Sequence, residues 1–324
     1  MTFRGIAATI TAGAVMLLTG CDRGPKDVFT DAEIASFIDD YETASEIAKS
    51  TRGNGTPLMW TLSDEDTDMH LFGTIHLLPP GLNWRSDEFN KAFEQAHTLV
   101  MEVTDADGEE DPDAGLGMLL AGMSETPLSE RLSKRDYARV ESAAAEFGIP
   151  ITSIDMMKPW MAALTLEIAM VYSEGFEDSE GVEVVLEEEA RQSGKKLAAL
   201  ETAEFQETLL DNLSERAQIE YLVSGASGTS LARDALALYL DEWLDGDFAG
   251  MNALATSETT EEYEGLSEFN DLLLKSRNED WIPQIEDMLD TPGTIMIAVG
   301  AGHLEGPDSV ILMLREKGYQ VKGP

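Results

Sequence analysis

Met69-His70-Leu71-Phe72-Gly73-Thr74-Ile75-His76 and Met296-Ile297-Ala298-Val299-Gly300-Ala301-Gly302-His303 are the stretches that decide how this chain is read. Each is an apolar run ending in Gly-x-x-His, with Leu directly after the histidine (Leu77, Leu304) and Pro a few residues on (Pro79, Pro307). Short apolar runs bounded by glycine read as buried strands. Gly73 and Gly300 would let the chain turn sharply at the strand end and let another group approach the backbone closely. His76 and His303 are then held at the rim of a sheet, and in open α/β sheets the carboxyl ends of strands are where sites collect. Imidazole at such a place can ligate a metal, or act as acid or base near neutral pH. The histidines lie 303 − 76 = 227 residues apart, so this is a repeated motif and not a tandem array.

Two further apolar runs end in glutamate. Glu102 follows Leu99-Val100-Met101, and Glu201 follows Leu197-Ala198-Ala199-Leu200. Glu102 reads as a metal ligand or general base facing the histidines. Glu201 suits that role and, equally, a negative charge at the start of a following helix. Two histidines and a carboxylate with a position left for water suit a divalent ion that lowers the pKa of that water. Such donors accept zinc, manganese, cobalt or iron. His70, inside the first strand, and His97, at a helix end, read as structural.

Around these runs, Thr30-Asp31-Ala32-Glu33 is a capping box opening a helix to about residue 49. Residues 58–62 and 69–75 flank the acidic stretch 63–68 and predict a β-hairpin. A helix over 86–97, capped by Ser86, and a strand over 98–103 follow, and the strand–helix–strand order predicts a βαβ unit with a parallel pair. Helices are expected over 133–147, from Pro159, over 181–193, across most of 203–289, and over 308–317. Short strands are expected at 196–200, 293–299 and 318–322. The fold class is therefore α/β: short strands from the N- and C-terminal parts form the core, and a large helical insertion spans about 110–290.

The chain has 324 residues, with 22 Lys+Arg against 62 Asp+Glu, for a net charge of −40. That balance excludes a nucleic-acid partner, since phosphate recognition needs clustered cations. The acid is spread along the chain and reads as adaptation to a salty medium, where the Debye length falls to about 3 Å. The single cysteine, Cys21, excludes an intrachain disulfide and a Cys-rich zinc site. Residues 1–20 carry Arg4 and then an apolar stretch too short for a membrane span, the pattern of a secretory signal. Leu18-Thr19-Gly20-Cys21 resembles a bacterial lipobox, which makes Cys21 the lipidation site. The expected organisation is a signal peptide over 1–20, a tether and helix over 21–55, and an α/β domain over 56–324. The expected location is the bacterial cell envelope, lipid-anchored and facing the periplasm or exterior.

Taken together, Gly73-Thr74-Ile75-His76 and Gly300-Ala301-Gly302-His303, Val100-Met101-Glu102, Lys158-Pro159-Trp160, Gly181-Val182-Glu183, Leu200-Glu201-Thr202 with Gln206, Arg277-Asn278 with Trp281, and Gly302-His303-Leu304 with Gly306 resemble the TraB/PrgY/GumN family, especially its GumN-like branch. That family includes the Tiki metalloproteases. The resemblance implies a Tiki/erythromycin-esterase-like α/β fold and a metal-dependent hydrolase, first of all a peptidase. It implies His76, His303 and Glu102 as ligands of a manganese, cobalt or zinc ion, and Glu102 and His303 as catalytic. Arg277 would polarise a carbonyl or hold an oxyanion, unless it is a structural ion pair. Asn278 would orient a neighbour or cap a helix. The family often has Asp where Glu183 stands. The partner is a peptide or protein substrate. The alternative function is a binding protein that sequesters a peptide or regulates a partner without turnover.

Overall fold

The structure, a computed structural model, describes residues 24–104, 114–255 and 262–324. The signal and lipobox readings, Cys21 included, lie outside the described residues. Five strands form one sheet: β1 (Met59–Ser63), β2 (Thr67–Thr74), β3 (Thr98–Met101), β4 (Lys196–Ala199) and β5 (Gly293–Gly300), in the order β1-β2-β5-β3-β4. Only β1 is antiparallel, paired with β2 as the predicted hairpin. The remaining strands run parallel. β5 is the central strand, and it is buried without interruption from Ile295 to Gly300. Continuous apolar character is what a parallel strand covered on both faces requires.

The helices are α1 (Asp31–Ser50), α2 (Asp87–Gln95), α3 (Ala114–Ala121), α4 (Leu128–Arg131), α5 (Lys134–Glu146), α6 (Ile151–Ile154), α7 (Pro159–Ser173), α8 (Val182–Ser193), α9 (Ala203–Leu209), α10 (Glu215–Ser227), α11 (Thr229–Asp245), α12 (Phe248–Ala255), α13 (Glu264–Asn270), α14 (Ser276–Leu289) and α15 (Val310–Glu316). Their starts follow local chemistry. The Thr30 and Glu33 side chains form the reciprocal capping box of α1. Ser86, Ser133, Thr202, Ser214 and Ser309 each accept a backbone N–H at the start of α2, α5, α9, α10 and α15. A π-helical turn, Asp271–Lys275, joins α13 to α14. Among the described residues, no helix is long and apolar enough to cross a membrane.

Two expectations are corrected. β2 and β3 are parallel but not paired, because β5 enters between them. Local strand–helix–strand order cannot reveal a strand that arrives some 200 residues later. The closing strand at 318–322 is a single bridge, in which Thr61 and Lys322 exchange backbone hydrogen bonds.

The described residues form two hydrophobic cores. One surrounds the sheet, with Trp60, Phe72, Trp84, Trp243 and Trp281 packed on its faces. The other lies among the helices, centred on Phe29, Val140, Leu166 and Leu222. α11 borders the first core through Trp243, whose indole N–H donates to the Gly73 carbonyl at 2.9 Å.

Candidate functional site

The register of β2, β5 and β3 decides what meets what. Thr74 lies opposite Gly300, and Met101 lies opposite Ala298, so the three strands end side by side. Their next residues, Glu102, Ile75-His76 and Ala301-Gly302-His303, emerge at one carboxyl edge.

Glu102 sits at the centre of this edge and is buried. Its Oε1 accepts the Gly300 N–H at 2.8 Å. Its Oε2 accepts from the Arg277 guanidinium at 2.5 Å and from Gln206 at 3.1 Å. Burial alone pushes the Glu102 carboxyl up, but attraction to the His303 ring (charged only in the acid range where Glu102 titrates), to Arg277 and to His76, together with the Gly300 N–H, outweighs it and holds it at about 2. Arg277 also clamps Glu201, through Nε and Nη2 at 2.8 Å each, and gives an Nη1 hydrogen to the Leu273 carbonyl. Four of its five N–H donors are thereby committed, and a single Nη1 hydrogen remains for another acceptor. The π turn, which supplies that carbonyl, sets the reach of Arg277; π turns inside helices are frequent at functional sites.

His303 is buried behind Glu102, with Nε2 at 3.7 Å from Glu102 Oε1. Its Nδ1 lies 2.6 Å from Asn278 Oδ1. Asn278 uses its amide N–H groups on the Asp308 and His303 carbonyls, so its oxygen is left to accept. His303 therefore carries its proton on Nδ1 and turns the Nε2 lone pair toward Glu102. The Trp281 ring lies over it at 4.2 Å between centroids and excludes water. Burial lowers the His303 pKa to about 3, so the ring is neutral at neutral pH.

His76 occupies the opposite wall and is exposed, at 64% of its side chain. Its Nδ1 contacts Glu183 Oε1 at 2.7 Å, and that hydrogen bond raises its pKa. The same carboxylate oxygen accepts from Thr74 Oγ1, while Glu183 Oε2 is buried without a partner among the described residues. With Nδ1 engaged, Nε2 faces inward: a Cβ placed on Gly300 would lie 3.5 Å from His76 Nε2 and 3.1 Å from Glu102 Oε1.

The glycines serve this closeness and not a turn. β2 runs straight through Gly73, where an added Cβ would come within 3.0 Å of the Ala301 backbone. Gly300 needs its missing side chain for Glu102 and His76. Neither glycine has a positive φ among the described residues. The expected sharp turn at Gly73 is absent because β5 supplies a partner for every residue of β2 through Thr74.

The edge thus brings together Gly73, His76, Glu102, Glu201, Arg277, Asn278, Gly300 and His303. Glu201 faces Arg277 and the Trp281 indole N–H, at 2.8 Å, instead of the histidines. His70 and His97 lie elsewhere, His70 half-buried beside Thr61 and His97 near Gly293. Glu183 and Gln206 are the residues whose roles only the structure assigns. The sequence signal for Glu183 was Gly181: a Cβ there would collide with the His76 carbonyl at 2.1 Å, so glycine lets α8 dock on residues 75–76 and aim Glu183 at the ring.

In donor type and tautomer, the site suits a divalent ion. Both histidines commit Nδ1 to hydrogen bonds and offer Nε2, as metal-ligating histidines do. Spacing is less favourable. Among the described residues, no group of three or more His, Cys, Asp or Glu is placed to hold a metal ion. Arg277 also brings its own positive charge against Glu102.

The TraB/PrgY/gumN family model matches residues 58–323, and the chain belongs to that family. It is similar to the uncharacterized protein YbaP of Escherichia coli (strain K12) and to that of Shigella flexneri. Each is 25% identical over 250 residues, covering 76% of this chain and 87% of the relative. No solved structure matches the chain.

Proposed function

We propose that this protein is a hydrolase, acting first of all on peptides, lipid-anchored through Cys21 in the bacterial envelope on a Tiki/erythromycin-esterase-like core. The observation that carries this reading is the meeting of two imidazole Nε2 atoms and one ionised carboxylate at the carboxyl ends of β2, β5 and β3. His76, His303 and Glu102 would hold a manganese, cobalt or zinc ion, which when bound supplies acidity to a water molecule. The chain's own groups set the rest. A carboxyl held near 2 is ionised at every physiological pH. Asn278 fixes the His303 tautomer, and Trp281 keeps that side dry. Arg277 braces Glu102 and aims its remaining Nη1 hydrogen at a substrate oxygen. His76, backed by Glu183 at Nδ1, would offer its Nε2 to the ion.

A second reading has its own support. The committed guanidinium and the loose donor spacing also suit a site that binds a peptide without turnover. Bound metal in the purified protein and cleavage of a mixed peptide library, compared with His303→Ala, separate the two. Cleavage abolished by His303→Ala supports the hydrolase. Metal-free protein that stays inactive after manganese, cobalt or zinc is added favours binding alone.

A further inference from the structure

Away from the histidines, two adjoining cavities lie in the helical layer. The larger, about 450 Å³, is walled by α5, α7, α10 and α11. The smaller, about 380 Å³, is walled mainly by α1, α10, α11 and α13. Tyr221, Gly225, Ala232, Ala235 and Leu254 border both, so the two spaces lie side by side. Small residues open the room: Ala143, Ala163, Gly225, Ala232 and Ala235 face positions where a packed core would carry bulk.

The lining chemistry is apolar and disfavours an anionic ligand. The two tyrosine hydroxyls of the larger cavity are already engaged, Tyr221 with Glu167 and Tyr239 with Glu305 at 3.0 Å. Among the described residues, the lining of neither cavity includes Lys or Arg, and its only charged members are Glu167 and Asp40. Arg233, one residue beyond Ala232 on α11, is paired with Glu146 and Glu174. An anionic headgroup would therefore meet carboxylates and no lining cation. Apolar cavities accept apolar ligands. Ile168 and Tyr172, at 40% and 49% exposure, continue the apolar surface outward along α7 beside Glu167 and Val171.

We propose that these cavities form a binding site for an uncharged single-chain amphiphile, its aliphatic chain running past the shared wall of Ala232 and Ala235. The lining includes none of the residues of the histidine edge, and the proposal does not rest on hydrolytic activity there.

The test uses the purified full chain and the uncharged fluorescent probe N-phenyl-1-naphthylamine. Saturable binding is expected, with displacement by monolaurin at least tenfold better than by laurate. Ala235→Phe fills the shared wall and Ala163→Leu fills the larger cavity alone; at least one folded variant should bind the probe at least tenfold more weakly. His303→Ala should bind it as the parent does, which separates this site from the catalytic reading. Absence of saturable binding, undiminished affinity in folded filled variants, or equal displacement by laurate would overturn the proposal.

Discussion

His76 and His303 end the same four-residue motif, yet they live in opposite surroundings. His303 is buried, capped by an amide oxygen, roofed by Trp281 and held neutral. His76 is mostly exposed, rests on a carboxylate and has its pKa raised. The pair shows that a Gly-x-x-His motif specifies where a ring stands and not what charge it carries. The charge comes from the partner on Nδ1 and from the water around the ring.

The sharpest way to break the contrast is to remove the brace of the buried side. Arg277→Met strands the Glu102 and Glu201 carboxylates in the interior, and urea unfolding should show a loss of about 3–5 kcal/mol. Next in size, His303→Ala should cost about 2–4 kcal/mol, because it empties space beneath Trp281. His76→Ala at the exposed wall removes a solvent-screened ion pair with Glu183 and should cost about 1 kcal/mol or less in the same assay. Equal losses would mean that the two histidine environments do not differ in burial and bracing.

The glycines extend the comparison. Gly73→Ala meets the Ala301 backbone, which cannot swing aside, and should cost about 1–3 kcal/mol. Gly300→Ala meets the end of the Glu102 side chain, so thermal melting should register a smaller loss while histidine NMR shifts register a larger change.

The smallest effects are titrations. The unfolded chain carries histidines near 6.5. His303, depressed in the fold, contributes stability present above that value and lost as pH falls toward about 3. His76, raised in the fold, contributes stability present below about 6.5 and lost as pH rises through its elevated pKa. NMR should show the His76 ring titrating above the ordinary range while the His303 ring stays neutral from pH 5 to 8. Glu183→Gln should bring the His76 midpoint down and leave His303 unmoved. A shift of both rings together would show the two to be one coupled unit.

Much of this was legible in the chain itself. The hairpin, the capped helices α1, α2 and α5, the buried strand β5 and the glutamate ending β3 follow from local periodicity and capping chemistry, which act within a few residues. The roles of Glu201 and Arg277 were open because a carboxylate's partner, unlike its position, is not local. Arg277 reaches Glu102 across 175 positions of sequence. Gly181-Val182-Glu183 was visible as a pattern, but nothing near it names His76 as its target.

By itself, the sequence determined the family, the strand-end placement of His76, Glu102 and His303, and the strongly acidic character, because these rest on residue type and short-range order. Only the tertiary structure decided that β5 divides β2 from β3, that Glu183 and Asn278 hold opposite rings, and that one histidine is wet and the other dry. Those outcomes depend on packing and desolvation between segments far apart in the chain, and no local pattern encodes them.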